Sequence, residues 1–350
     1  MSRQFEVRTL HQSDYGNWDR VVGESLGGSP YAMSGYLAAL CQVTGSQHRL
    51  VAVFDEERIV GGVGLYIRKK RTQLFVRGRY LLYYNGPFVR RIDGASPATQ
   101  EEHNLKVLAA LERELRRSDY DPIEIKPRST LADCRPFLEA GWRARPCYSY
   151  EVDIRDSDRC LASMHRNVRR QIRQAERADV NVYRSDAIEK FWTMHEHTCR
   201  RKSFPTYLSR SGMIDWFSTL SRKNLIRLYL AGNSNRDPYA GVLVLACNHP
   251  VTHTVCAASH DGNLPPGTNA WLRWNVFLDL SNEGYTGNDL TDAHEPSVAR
   301  FKRQLGARLV LSHQLNRPAT VRDHTHAALH GTTAALKAAV KRILIRGAGS

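Results

Sequence analysis

LPPGTNAWLRWNVFLDLSNEGYTGNDLTDAHEPSVARFKRQLGARLV, residues 264–310, carries the pattern that decides the fold. A loop rich in Pro and Gly turns into the helix TNAWLRWNVFLDLSNEG, and the strand YTGNDLTD follows, ending in the acids Asp289 and Asp292. A further loop leads into the helix VARFKRQLG, with the pair Phe301-Lys302, and then the strand ARLVLSHQL. Upstream, LIRLYLAG, YAGVLVLAC and VTHTVCAAS read as a three-stranded antiparallel run. Before them come a helix over 158–178, the strand VNVYRS and helices over 187–200 and 212–222.

The amino-terminal half follows a similar plan. FEVRTL alternates like a strand, HQSDYGNWDRVVGES reads as turn and helix, and a helix over 35–43 is capped by Ser34. Strands HRLVAVFD, RIVGGVGLYIRKK and RYLLYYNGPFV precede a helix over 99–117, the strand PIEIKP, a short helix stopped at Gly141 and a last strand to Asp153. Strands interleaved with helices predict an α/β (α+β) fold of two tandem subdomains, 1–153 and 154–316. No residue-level repeat is visible; the duplication rests on the order of elements. A basic tail, 317–350, carries one weakly amphipathic helix near 334–346.

The chain is 350 residues long with 42% hydrophobic residues, enough for a substantial core. No apolar run of about 18 residues spans a bilayer, and the first residues lack a signal-peptide pattern. Seven scattered cysteines without a CxxC argue against a disulfide framework or structural zinc and for a reducing cytoplasm. Fifty Lys+Arg against 35 Asp+Glu leave +15, the balance of a protein that meets polyanions. Forty of the fifty are Arg, whose planar fork suits phosphate.

That charge is concentrated. In MHRNVRRQIRQAERADV, Arg166, Arg169, Arg170, Arg173 and Arg177 largely share one helical face, opposite the apolar stripe Val168, Ile172 and Ala175. A second run joins Arg68, Lys69, Lys70 and Arg71 with Arg77 and Arg79, without an acid. Solvated faces and a nucleic-acid backbone site both fit such runs. Neither zinc-finger, RNP nor helix-turn-helix spacing occurs, nor GxSxG, HExxH, a P-loop or GxGxxG. His195 and His197 diverge on a helix, and His324, His326 and His330 have a metal-compatible spacing in the tail.

Three further pieces, RNVRRQIRQAERADVNV, Arg201-Lys202-Ser203-Phe204 and PPGTNAWLRW, precede PSVARFKRQLGA, and their order resembles the Fem-type aminoacyltransferases of the GNAT-like superfamily over about residues 5–318. The resemblance implies two GNAT-like subdomains, each a mixed, largely antiparallel sheet flanked by helices, with a cleft between them. It implies transfer of an amino acid from aminoacyl-tRNA to an amine of a peptide or peptidoglycan precursor, with no other cofactor. It implies that Lys302 steadies the oxyanion with Phe301 as packing partner, and that Arg201 contacts the acceptor. On this reading Arg166, Arg169, Arg170, Arg173 and Arg177, with Lys69, Lys70 and Arg71, meet the tRNA. Two departures stand out: Leu40 replaces a phosphate-binding lysine, and Lys126-Pro127 replaces Asp-Pro. Both speak against a UDP-muramyl acceptor and leave a small peptide or nucleoside natural product open, with Lys126 and Asp292 at the substrate. Asp292, His294 or Glu295 could take the amine proton.

Two other classes compete. An acyl-CoA-dependent GNAT enzyme needs a loop of the type Q/R-x-x-G-x-G/A for the pyrophosphate, and neither 264–269 nor 303–308 fits it. A non-catalytic nucleic-acid binder would account for the basic stripes alone.

Overall fold

A computed structural model describes residues 5–233, 238–260 and 264–318. The first half runs β1 (Glu6–Thr9), α1 (Tyr15–Gly23), β2 (Ser25–Leu26), α2 (Ser34–Thr44), β3 (Gln47–Asp55), β4 (Arg58–Lys70), β5 (Gln73–Val76) and β6 (Phe88–Arg90). It continues with α3 (Pro97–Arg117), β7 (Glu124–Ile125), α4 (Arg135–Glu139) and β8 (Arg143–Asp153). The second half runs α5 (Ser157–Ser163), α6 (Arg166–Arg177), β9 (Asn181–Ser185), α7 (Ile188–Arg201), α8 (Arg210–Ser221), β10 (Ile226–Gly232) and β11 (Ala240–Leu245). It ends with β12 (Val251–Ser259), α9 (Thr268–Asn282), β13 (Gly287–Asp289), α10 (Pro296–Gln304) and β14 (Arg308–Asn316). The tail helix expected at 334–346 lies outside the described residues.

Two sheets result, both flanked by helices. The first has the order β1-β3-β4-β6-β2, with β5 on β4; the second is β7-β14-β8-β13-β12-β11-β10-β9. Named neighbours pair antiparallel except β12 and β13, which are parallel. The sheets do not divide at 153/154. β8 pairs with β14 from Arg143 to Glu151 and with β13 beyond it, so β7 and β8 belong to the second sheet although they precede residue 154. One apolar cluster also joins the halves, with Tyr36, Leu37 and Leu40 packed together with Met213, Trp216 and Phe217.

Three local expectations are corrected. Ser34 does not cap α2; Met33 precedes that helix, and the Ser34 amide and hydroxyl both donate to Asp19, at 2.7 Å each. The single helix expected over 158–178 is broken at Met164 and His165. There the end of α10 presses in: the His165 amide donates to the Gln304 carbonyl at 2.9 Å, and a Cβ on Gly306 would sit 2.1 Å from the Ser163 hydroxyl. The α6 stripe is as expected, with Val168, Ile172 and Ala175 buried.

The third correction matters most for function. RYLLYYNGPFV is not a continuous strand: only Phe88–Arg90 pairs within a sheet. The remainder is held by side chains and close contact with the Lys126 segment. The Asn85 side-chain amide donates to the Glu124 carbonyl at 2.8 Å, and its carbonyl accepts from the Lys126 amide at 2.9 Å. Gly86 lies so close that a Cβ would come within 2.2 Å of Pro127. This frees Tyr80, Tyr83 and Tyr84 to face the second half.

Candidate active site

The site grows from the turn between β13 and α10. Thr291 (φ 51°) and Asp292 (φ 36°) are consecutive non-glycine residues in the left-handed region, a costly arrangement that its surroundings must hold. The Thr291 amide donates to Asp289 Oδ1 at 2.7 Å and its hydroxyl to the Thr254 carbonyl at 2.9 Å. Asp292 in turn accepts from the His294 amide at 3.0 Å. Glu295 caps α10 by accepting from the Ser297 and Val298 amides, at 3.1 and 2.7 Å.

The helix so started places Phe301 against the second core and Lys302 back over the turn. The Lys302 ammonium donates to the carbonyls of Thr291 and Asp292, the latter at 2.6 Å. Two of its three N–H donors are thus spent on main chain, and one remains. Burial and the neighbouring Arg273 guanidinium lower its pKa to about 8, with Asp292 and Asp289 opposing. At pH 7 the group is still mostly charged.

Residues of both halves meet here. Asp289, 1% exposed, accepts from the Tyr84 hydroxyl at 2.9 Å and from the Ser149 hydroxyl. His253 is fully buried, with its ring edge-on to Tyr31 and Tyr84 at 5.2 and 5.7 Å; burial and the Arg128 charge keep it neutral. The Tyr83 hydroxyl donates to the Tyr148 carbonyl at 2.8 Å and lies within reach of the Asp292 amide. Over the Tyr83 ring, 3.2 Å from its centre, sits the Lys126 ammonium. Among the described residues Arg273, on α9, donates only to the Thr254 hydroxyl, at 3.4 Å, and burial lowers its pKa to about 10. At the rim Tyr80 stacks on Tyr207 at 4.6 Å, and Arg79 donates to the Tyr207 carbonyl at 3.1 Å. Arg79 therefore ties the halves together, and does not join the exposed basic run.

Of the residues expected from sequence, the structure brings together Lys126, Asp292 and Lys302, while Phe301 packs into the second core. Arg201 is the exposed last residue of α7; its neighbour Lys202 lies beside Glu295. The candidate bases fare poorly. Glu295 is committed to its cap, and His294 and Asp292 are bonded to each other. Burial pushes Asp292 up, but the His294 hydrogen bonds and the Lys302 charge outweigh it and hold the carboxyl below its usual range.

The tRNA candidates occupy two surfaces. Arg166, Arg170, Arg173 and Arg177 are exposed on α6 and Arg169 is half-buried; among the described residues none has an acidic partner. Lys69, Lys70 and Arg71 are exposed at the β4–β5 hairpin, on the other sheet. Because His165 bonds Gln304, α6 starts beside the end of α10.

Sequence reading missed Arg273, Tyr83, Tyr84 and Tyr207. The signal available was the tyrosine density of residues 80–84, hidden by its strand-like composition. Among the described residues no His, Cys, Asp or Glu cluster is arranged for a metal. His195 is buried against Cys199 and Cys256, each sulfur 3.5 Å from a ring nitrogen, and burial lowers it to about 4. The spacing at His324, His326 and His330 lies outside the described residues. An open groove of about 570 Å3 between α3 and α4 contains none of the site residues.

Residues 162–330 match the acetyltransferase (GNAT) domain family. No curated protein sequence matches the chain. Among solved structures, FemX shares the fold at TM-score 0.69 and 14% identity, over 88% of this chain and 96% of that one. The C-terminal domain of a putative lysylphosphatidylglycerol synthetase from Agrobacterium fabrum aligns at TM-score 0.56 and 11% identity, over 91% and 96%. A tandem GNAT protein from the clavulanic acid biosynthesis pathway aligns at TM-score 0.50 and 12% identity, over 91% and 100%. Residues 162–330 thus resemble a GNAT domain in sequence, and the chain as a whole shares its mixed α/β fold with FemX and with a tandem GNAT protein.

Proposed function

We propose that the protein is an aminoacyltransferase that moves an amino acid from aminoacyl-tRNA to an amine of a peptide-like acceptor, of peptidoglycan or natural-product type, forming an amide. The observation that carries this reading is the Lys302 ammonium, charged, clamped by two carbonyls and left with one free donor where the halves meet. The acceptor nitrogen attacks the ester carbonyl, whose oxygen becomes an anion beside that donor. The carbon–oxygen bond to the tRNA ribose then breaks, and the amine proton leaves with the ribose oxygen. An ester is already activated, so the reaction needs neither ATP nor a metal. One preorganised donor to such an oxyanion contributes about 2.7–4 kcal/mol.

The surroundings support a tRNA carrier. α6 offers unpaired arginines and begins beside α10. FemX and the lysylphosphatidylglycerol synthetase domain share the fold. An acyl-CoA donor is the second reading, favoured by the match to the acetyltransferase domain family. Against it, the start of α9 is pressed onto α6: a Cβ on Gly267 would lie 2.0 Å from the Gln171 carbonyl, where a pyrophosphate would approach the helix end.

The test is transfer from labelled bulk aminoacyl-tRNA to a panel of amines, with an RNase control. Lys302→Ala is expected to lower the single-turnover rate about 10²–10³-fold with tRNA retention unchanged. Product that survives RNase but requires acetyl-CoA, together with thermal stabilisation by acetyl-CoA, would replace this reading by the second.

A further inference from the structure

The junction around Asp289 and Asp292 holds more positive charge than these acids engage. Asp289 is occupied by Tyr84, Ser149 and the Thr291 amide, and Asp292 by His294. Among the described residues, neither accepts a hydrogen bond from Lys126 or Arg273. Lys302 spends two of its donors on main-chain carbonyls and, in the reading above, keeps the third for the oxyanion. Lys126 differs: its ammonium rests on the Tyr83 ring, and none of its three donors has a protein acceptor among the described residues. An aromatic face fixes where a cation sits but leaves its N–H bonds directed elsewhere.

Position adds the second constraint. Lys126 covers Tyr83, the Tyr83 hydroxyl reaches the Asp292 amide, and the Asp292 carbonyl holds Lys302. Both ammonium groups therefore lie near one residue, Asp292, one from each half of the chain. Lys302 faces the reacting carbonyl in the reading above, on which this inference rests. Lys126 then stands beside the attacking amine. Burial lowers its pKa to about 8, despite Cys147, Asp292, Asp289 and Glu124, and an anion brought to it would stabilise the charged form further.

We propose that Lys126 is the subsite for an oxyanion group carried by the acceptor near its nucleophilic amine, a carboxylate or a phosphate. The acceptors of this protein are accordingly acidic amines, such as amino acids and short peptides with a free carboxylate, or amine-bearing phosphate esters. Neutral amines of the same size are poor substrates.

The test compares glycylglycine with glycylglycinamide, and O-phosphoethanolamine with ethanolamine, as acceptors for labelled aminoacyl-tRNA. Wild type is expected to favour the anionic member of one pair by tenfold or more in kcat/KM, chiefly through KM; the favoured pair tells carboxylate from phosphate. Lys126→Met should collapse that ratio toward one, and Lys126→Arg should keep most of it. Equal use of the charged and neutral acceptors by wild type would overturn the proposal, as would an undiminished ratio in Lys126→Met. Calorimetry of the same compounds with the full chain and no donor gives a readout independent of transfer. Binding of the anionic compound that is lost in Lys126→Met upholds the subsite even if tRNA is not the donor. Equal binding of both compounds to the two proteins refutes the subsite even if tRNA is.

Discussion

After burial, Arg273 contributes most to lowering the Lys302 pKa, and it is a residue that reading the chain alone did not single out. A lone arginine in a helix gives no local mark of its surroundings, and only the packing of α9 shows that it turns toward Thr254 and Lys302. Arg273 lowers the Lys302 pKa, so removing it raises that pKa. The active, charged form is lost as pH rises through about 8 in wild type and at higher pH in Arg273→Met. Single-turnover rates between pH 7 and 10 should show the descending limb displaced upward in the variant. A limb that stays in place or moves down would show that the guanidinium does not act on Lys302. The lysine itself reads as a surface residue from its position alone, and it is the resemblance of PSVARFKRQLGA to the Fem-type family that singles it out.

Elements differ in how openly they announce themselves. α6 was legible because its stripe and its arginines obey one helical period. Its break from α5 was not, because the cause is α10, far along the chain. Residues 79–84 were misread for a related reason. Their β-type composition serves packing between the halves, and the backbone follows the Lys126 segment through Asn85 and Gly86. If α6 tracks the tRNA backbone, reversing Arg169, Arg170 and Arg173 to Glu should weaken retention of charged tRNA roughly tenfold or more at low salt. The salt dependence of binding should flatten as well. Single-turnover chemistry at saturating tRNA should change little, and retention equal to wild type would remove α6 from the interface.

At the scale of the molecule, the tandem plan was visible in the order of elements, but the exchange of β7 and β8 into the second sheet was not. Strand partners distant in sequence leave no local mark. The exchange and the shared cluster around Tyr36, Trp18 and Trp216 make the halves one cooperative body. Calorimetric unfolding of the full chain is expected to show a single transition. Residues 1–153 expressed alone should lack a cooperative melt, because β8 loses β13 and β14. Two resolved transitions, or a folded fragment, would contradict this.

The ammonium at the centre of the site is gripped by carbonyl oxygens, which no point mutation can delete. The walls around it, at 83, 126 and 273, are side chains that can be exchanged. On the proposed function, acceptor preference could therefore drift, or be redesigned in the laboratory, while the Lys302 ammonium stays where the turn between β13 and α10 puts it.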